Sequence, residues 1–215
     1  MFVKDYMTRH PIMVDAETTI IEAQSIIAEN NIRHLPVVGD GKRLQGLITR
    51  QRMRIPPTEL ASLNVWEITR YLSNLRVKDV MVKKKDVITI SENATLEDAA
   101  KSMITNKIGS LLVLEKDVVM GIITDVDMMV QLTDLLGGNQ TGVRVTIRMP
   151  NKKGELAKLM QAISEQGWGI FASGGLQTRK DPDHWDCVVK VRNVSRDDLV
   201  SVLEQIEGQE IIDVR

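Results

Sequence analysis

The feature that most constrains this chain is an internal duplication. Met7, Thr19, Ile32, Gly46 and Thr49 recur as Met81, Thr95, Ile108, Gly121 and Thr124, an offset of 74 to 76 residues. A period that long, found twice, marks a duplicated module rather than a solenoid. Two such modules bury their apolar faces against each other and leave a cleft between them. The chain of 215 residues has room for a further unit beyond the two copies.

Composition excludes several classes. Net charge is −1 and the pI is near 6.3. That argues against a non-specific nucleic-acid binder, which needs a basic face to displace counterions. The single cysteine, Cys187, rules out an internal disulfide and points to a cytoplasmic protein. No apolar run approaches the ~20 residues that span a bilayer. The first residues, Met1 to Asp5, carry no apolar core of a secretory signal.

Periodicity organises the rest. In the first copy, Pro11 to Val14 reads as a strand. Thr19 opens a helix with Glu22 as capping-box partner, and Ile20, Ala23 and Ile27 share one face. His34 to Val38 and Leu44 to Thr49 read as strands around a Gly39-Asp40-Gly41 turn. The second copy repeats this. Val87 to Ile90 is a strand, and Thr95 with Asp98 caps a helix carrying Leu96, Ala99 and Met103. Ser110 to Leu114 and Val118 to Thr124 pair, and Asp125 to Leu136 is a helix. Between the copies, a short helix from Arg50 is stopped by Pro56-Pro57, and a second runs from Val65 to Leu75. Leu136 to Gly142 reads as a polar linker. The tail alternates strand, helix, strand, strand, helix, strand from Val143 to Val214, a ferredoxin-like βαββαβ order. The expected division is 1–60 and 61–136 for the two copies, 137–142 for the linker and 143–215 for the tail.

The duplicated unit resembles a tandem cystathionine-β-synthase (CBS) domain pair. The matching residues are Ile32-Arg33-His34-Leu35-Pro36-Val37-Val38 with Gly46-Leu47-Ile48-Thr49, and Ile108-Gly109-Ser110-Leu111-Leu112-Val113 with Gly121 to Asp127. The Val-Lys-Asp-x-Met openings at Val3 and Val77 also match. The tail resembles an ACT domain, a small regulatory module, on its Met149-Pro150-Asn151-Lys152-Lys153-Gly154-Glu155-Leu156-Ala157 turn. The order of two CBS domains and one ACT domain is similar to the acetoin utilisation protein AcuB family. The fold class expected is therefore α/β (α+β): a CBS pair of two βαββα repeats, then a ferredoxin-like ACT domain.

Thr124 places a hydroxyl at a strand end, and Asp127 places a carboxylate one helical turn later. A helix N-terminus suits phosphate, and a carboxylate accepts from both ribose hydroxyls. The resemblance implies that adenine lies near Val87, Ile88, Gly109 and Ser110. The plainer alternative is that Thr124 and Asp127 only cap the helix. The first copy reads Thr49-Arg50-Gln51-Arg52, and Arg52 cannot accept from ribose. Its arginines are either solvated at a degenerate site, the preferred reading, or hold extra phosphates; unequal sites are expected either way. Arg33 suits a phosphate or a surface carboxylate. His34 reads as structural, and with His10 and His184 it gives no metal-ligand spacing. Lys83-Lys84-Lys85 reads as a solvated run that also raises anion affinity.

On the tail, Pro150, Asn151, Gly154 and Leu156 mark the effector turn that the ACT resemblance implies. Asn151 stands where such sites often carry an Asp, so an effector's ammonium would lack its charge partner; dimerisation alone is the alternative. Trp168 and Trp185 read as packing or dimer residues. The chain lacks a P-loop, a nucleophile elbow and a metal cluster. The function expected is that of a non-catalytic sensor taking AMP, ADP, ATP, NAD or S-adenosylmethionine as regulatory ligand, with no catalytic cofactor. The partners expected are a second copy and a regulated enzyme, with acetoin or related central metabolism as the setting. A ligand-free dimerisation scaffold and, behind it, a nucleotide-processing enzyme are the alternatives.

Overall fold

The computed structural model describes residues 1–54, 64–178 and 181–215. The chain divides into two compact units, Met1–Met128 and Met129–Arg215.

The first unit runs α1 (Val3–Tyr6), β1 (Thr8–Arg9), α2 (Ile20–Glu29), β2 (His34–Gly39), β3 (Arg43–Thr49), α3 (Val65–Asn74), α4 (Val77–Val80), β4 (Val82–Lys83), β5 (Thr89–Ile90), α5 (Leu96–Asn106), β6 (Ser110–Glu115) and β7 (Val118–Thr124). The helix α6 (Asp125–Leu135) follows. Sequence dictates both long helix starts. The Thr19 hydroxyl accepts the Glu22 N–H at 3.1 Å. Thr95 and Asp98 form a full capping box, which the first copy does not complete. After α2 and α5 the chain turns through left-handed residues at matching places, Asn31 at φ 50° and Lys107 at φ 52°. The hairpins β2–β3 and β6–β7 carry register shifts at Val37/Val38 and Val113/Leu114, again matching places.

The two hairpins meet at β3 and β7, with Arg43 opposite Val118. The copies exchange their opening segments. The first copy's β1 pairs with β7 of the second, Thr8 opposite Ile122. The second copy's β4 pairs with β3 of the first, Gly46 opposite Lys83. A side chain at Gly46 would strike Met81 Sδ at 2.6 Å, and one at Gly121 would strike Met7 Sδ at 2.6 Å. The two repeated glycines are therefore sockets for the two repeated methionines, each filled from the other copy. The cores agree. Val77 belongs to the cluster of Ile20, Ala23, Ile27, Leu35 and Ile48. Val3 and Met7 belong to that of Leu96, Ala99, Met103, Leu111 and Ile123. A third cluster, with Leu44, Leu112, Val119 and Ile122, joins the hairpins.

Some expected elements differ. Pro11 to Val14 forms no strand; Val14 makes a single parallel bridge to Val37. The strand expected at Val87 to Ile90 is confined to Thr89–Ile90, paired with β6. Pro11 has no N–H to give a ladder. Arg50 to Met53 is a turn rather than a helix, since cations sit badly at a helix N-terminus. The Pro56-Pro57 stop lies outside the described residues.

The second unit runs β8 (Val143–Pro150), α7 (Glu155–Glu165), β9 (Gly169–Gln177), β10 (His184–Arg192), α8 (Arg196–Leu203) and β11 (Glu210–Val214). The strand order is β11-β8-β10-β9, antiparallel throughout. Val145, Ile147 and Met149 alternate inward and meet Leu159, Ile163, Leu199 and Leu203 of the helices. Trp168 and Trp185 pack against that core. This is the ferredoxin-like arrangement.

Candidate functional site

The exchange of opening segments decides what surrounds the cleft in the first unit. With β4 laid on β3, the second copy's Val87 and Ile88 come to the corner that follows β3, not the one that follows β7. A cavity of about 490 Å³ lies there. Val87, Ile88, Gly109, Ser110, Arg33 and Thr49 all line it. So do Arg50 and Arg54, two of the arginines weighed above as holders of extra phosphates, and Lys107 and Asp125, which sequence reasoning did not single out for this wall. That size is within the range of small-molecule sites.

Thr124 and Asp127 do not line this cavity. The Asp127 carboxylate accepts both the N–H and the hydroxyl of Thr124 at 2.7 Å. The pair thus closes the start of α6, as the capping alternative has it. Their corner faces the first copy's β1, because Thr8–Arg9 pairs with Ile122 and Gly121 of β7.

Arg33, Arg50, Gly109 and Asp125 are tied by matching backbone bonds. The Arg50 N–H donates to the Arg33 carbonyl at 2.9 Å, and the Asp125 N–H to the Gly109 carbonyl at 3.0 Å. Across the copies, Arg33 Nη2 meets Asp125 Oδ1 at 2.6 Å. Gly109 makes room for that carboxylate: a Cβ there would lie 3.0 Å from Asp125 Oδ2. Arg33 and Asp125 are each about half exposed, so the pair is worth little on its own. His34, on the same wall, has its pKa lowered, first by burial and then by the neighbouring Arg33, against an opposing pull from Asp125. Thr49 Oγ1 accepts the Arg52 N–H at 3.3 Å. Of the lysine run, Lys84 pairs with Asp117 at 2.9 Å and holds that carboxyl below its ordinary range.

In the second unit, the turn after Pro150 is partly committed. The Asn151 N–H donates to the Asp183 carbonyl at 2.7 Å. Gly154 takes φ 93°, a left-handed conformation that favours glycine, and space beside it is open. Leu156 is partly exposed. Glu155 is buried and accepts from Lys158 Nζ at 2.8 Å and Gln209 Nε2 at 3.2 Å; those bonds lower its pKa. His184 Nδ1 sits 2.8 Å from Asp181 Oδ2. Among the described residues, no group of three or more His, Cys, Asp or Glu side chains could hold a metal.

The CBS domain family model matches residues 3–54 and 77–134, just over half of the chain. This chain belongs to the CBS-domain family. A crystal structure from Vibrio cholerae described as an acetoin utilization protein (AcuB) is 32% identical, with a TM-score of 0.53, covering 65% of this chain and 95% of that one. The CBS domain pair of protein MJ0100, solved in complex with 5′-methylthioadenosine and S-adenosyl-L-methionine, is 26% identical at a TM-score of 0.51, covering 65% of this chain and 98% of that one. Protein MJ1225 of Methanocaldococcus jannaschii is 34% identical over 134 residues, 59% of this chain and 45% of its own length. An L-aspartate semialdehyde sulfurtransferase from the same organism is 27% identical over 64% of this chain, and the match spans only 24% of that enzyme. No helix among the described residues is long and apolar enough to cross a membrane.

Proposed function

We propose that this CBS pair is a non-catalytic regulatory module that takes an adenosine-bearing ligand. The observation that carries this is the cavity of about 490 Å³ that apolar Val87 and Ile88 line together with cationic Arg33 and Arg50. An apolar wall suits a purine, and guanidinium groups suit phosphate. The MJ0100 pair, solved with two adenosine-derived ligands, supports the same use of the fold. Thr124 and Asp127, with the adjoining β1, form a second and differently charged corner for such a ligand. The L-aspartate semialdehyde sulfurtransferase shares with this chain only a module covering 24% of its length, which accords with regulation rather than chemistry.

We read the tail from 143 onward as an ACT domain on its strand order and its Gly154 turn, joined through 137–142 to copies at 1–60 and 61–136. Pro150, Asn151, Gly154 and Leu156 are its candidate effector contacts. The protein acts as a cytoplasmic homodimer that controls an enzyme, with acetoin metabolism suggested by the likeness to the Vibrio cholerae chain.

Thermal shift with AMP, ADP, ATP, NAD and S-adenosylmethionine tests the reading. A ligand at 100 times its dissociation constant adds about 2.7 kcal/mol to stability. Ile88→Trp fills the cavity from a partly exposed position, and Asp127→Ala removes the other corner's carboxylate. A shift lost only in Ile88→Trp assigns the ligand to the cavity; a shift lost only in Asp127→Ala assigns it to the Thr124 corner. No shift with any of the five overturns the reading.

A further inference from the structure

The cavity has a charge pattern that the duplicated fold does not require. Four cationic side chains line it, Arg33, Arg50, Arg54 and Lys107, against two carboxylates, Asp86 and Asp125. Arg33 and Asp125 neutralise each other at 2.6 Å. Arg50, Arg54 and Lys107 are exposed and make no ion pair among the described residues. Arg50 and Arg54 stand one turn apart, the turn being closed by the Met53 N–H on the Thr49 carbonyl at 3.3 Å. Like charges at that spacing repel, and a polyanion between them removes the repulsion.

Resting on the reading of this cleft as a nucleotide site, we propose that it selects a nucleotide with a chain of two or more phosphates and rejects a sulfonium nucleoside. Arg50, Arg54 and Lys107 carry the choice. Val87 and Ile88 offer the base an apolar wall that does not depend on phosphate number. Guanidinium groups bind phosphate through two parallel N–H bonds, so each added phosphate meets a donor pair already in place. A sulfonium carries a positive charge into the same field and meets repulsion. The charge at this corner thus sets ligand class, while the walls set the purine.

Titration calorimetry on the full chain decides it, with ATP, ADP, AMP, adenosine and S-adenosylmethionine as probes at two salt concentrations. ATP is expected to bind at least about tenfold tighter than AMP, with S-adenosylmethionine weakest and the ATP preference shrinking as salt rises. Arg50→Gln with Arg54→Gln, at exposed positions that leave the core untouched, should bring ATP and AMP to within about twofold of each other. Equal or tighter binding of S-adenosylmethionine, or an ATP-to-AMP ratio untouched by the double substitution, overturns the selection while leaving the adenosine site standing. Absence of binding by every probe overturns both.

Discussion

The two copies agree at their helix caps and glycine sockets and part company at the corners that follow β3 and β7. Thr19 and Thr95 cap equivalent helices, and Gly46 and Gly121 receive Met81 and Met7. The backbone bonds Arg50 to Arg33 and Asp125 to Gly109 match within 0.1 Å. Yet one corner reads Thr49-Arg50-Gln51-Arg52 and the other Thr124-Asp125-Val126-Asp127. Acidic side chains suit a helix N-terminus, and there α6 runs to Leu135; arginines do not, and there Arg50 to Met53 form a turn. Packing tolerates little change in a socket a few ångströms wide. A solvated corner tolerates reversal of charge, so the duplication kept its architecture and diversified its chemistry.

The comparison breaks first at the sockets. Gly46→Val and Gly121→Val should each destabilise the first unit by about 1–3 kcal/mol, since each forces a side chain into the partner copy's methionine. Urea denaturation followed at one probe in each copy checks this. Both probes should move together for either substitution; separate transitions would show that the exchange does not couple the copies. Pairing Gly46→Val with Met81→Ala should recover part of the loss.

The corners themselves give a smaller contrast. Thr124→Ala removes the hydroxyl that bonds Asp127 and should cost about 0.5–2 kcal/mol. Arg52→Ala lies on an exposed turn and should stay within about 0.5 kcal/mol of the parent. Equal effects in a melting comparison would mean that the two corners are structurally equivalent after all.

The smallest effect is a pH dependence at the cavity wall. The lowered pKa of His34 means that the unfolded chain binds its proton more readily than the folded one. Its contribution to stability is therefore complete above the unfolded value of 6.5 and is lost as pH falls below it toward the folded value. Protonation also adds a cation beside Arg33, so an anionic ligand should pull the His34 pKa upward. Proton NMR titration of the His34 ring with and without ATP reads both; a pKa at or above 6.5 without ligand contradicts the burial argument.

Much of the fold was legible in local signals. Thr95 with Asp98, the apolar stripe of Leu96, Ala99 and Met103, and the alternation of Val143, Val145, Ile147 and Met149 each act over a few residues, and each formed its element. The strand expected at Pro11 to Val14 failed because its backbone finds one bridge rather than a ladder. Of the expected site residues, Val87, Ile88, Gly109, Ser110, Arg33 and Thr49 line one cavity together with Arg50 and Arg54, whereas Thr124 and Asp127 lie outside its lining, because the crossed pairing of the openings sets which corners meet.

The sequence by itself determined that there are two copies, that each holds a capped helix and a hairpin, and that a βαββαβ unit follows. Only the tertiary structure decided which copy completes which cleft. The Val-Lys-Asp-x-Met openings at Val3 and Val77 are nearly identical, and the strands that receive them share the Gly of the socket and the closing Ile-Thr, Gly46 with Ile48-Thr49 and Gly121 with Ile123-Thr124. Pairing within a copy and pairing across copies therefore satisfy the same local pattern. The choice falls to packing: Val3 and Met7 fill the second core, Val77 fills the first, and the charged corners follow wherever those buried residues go.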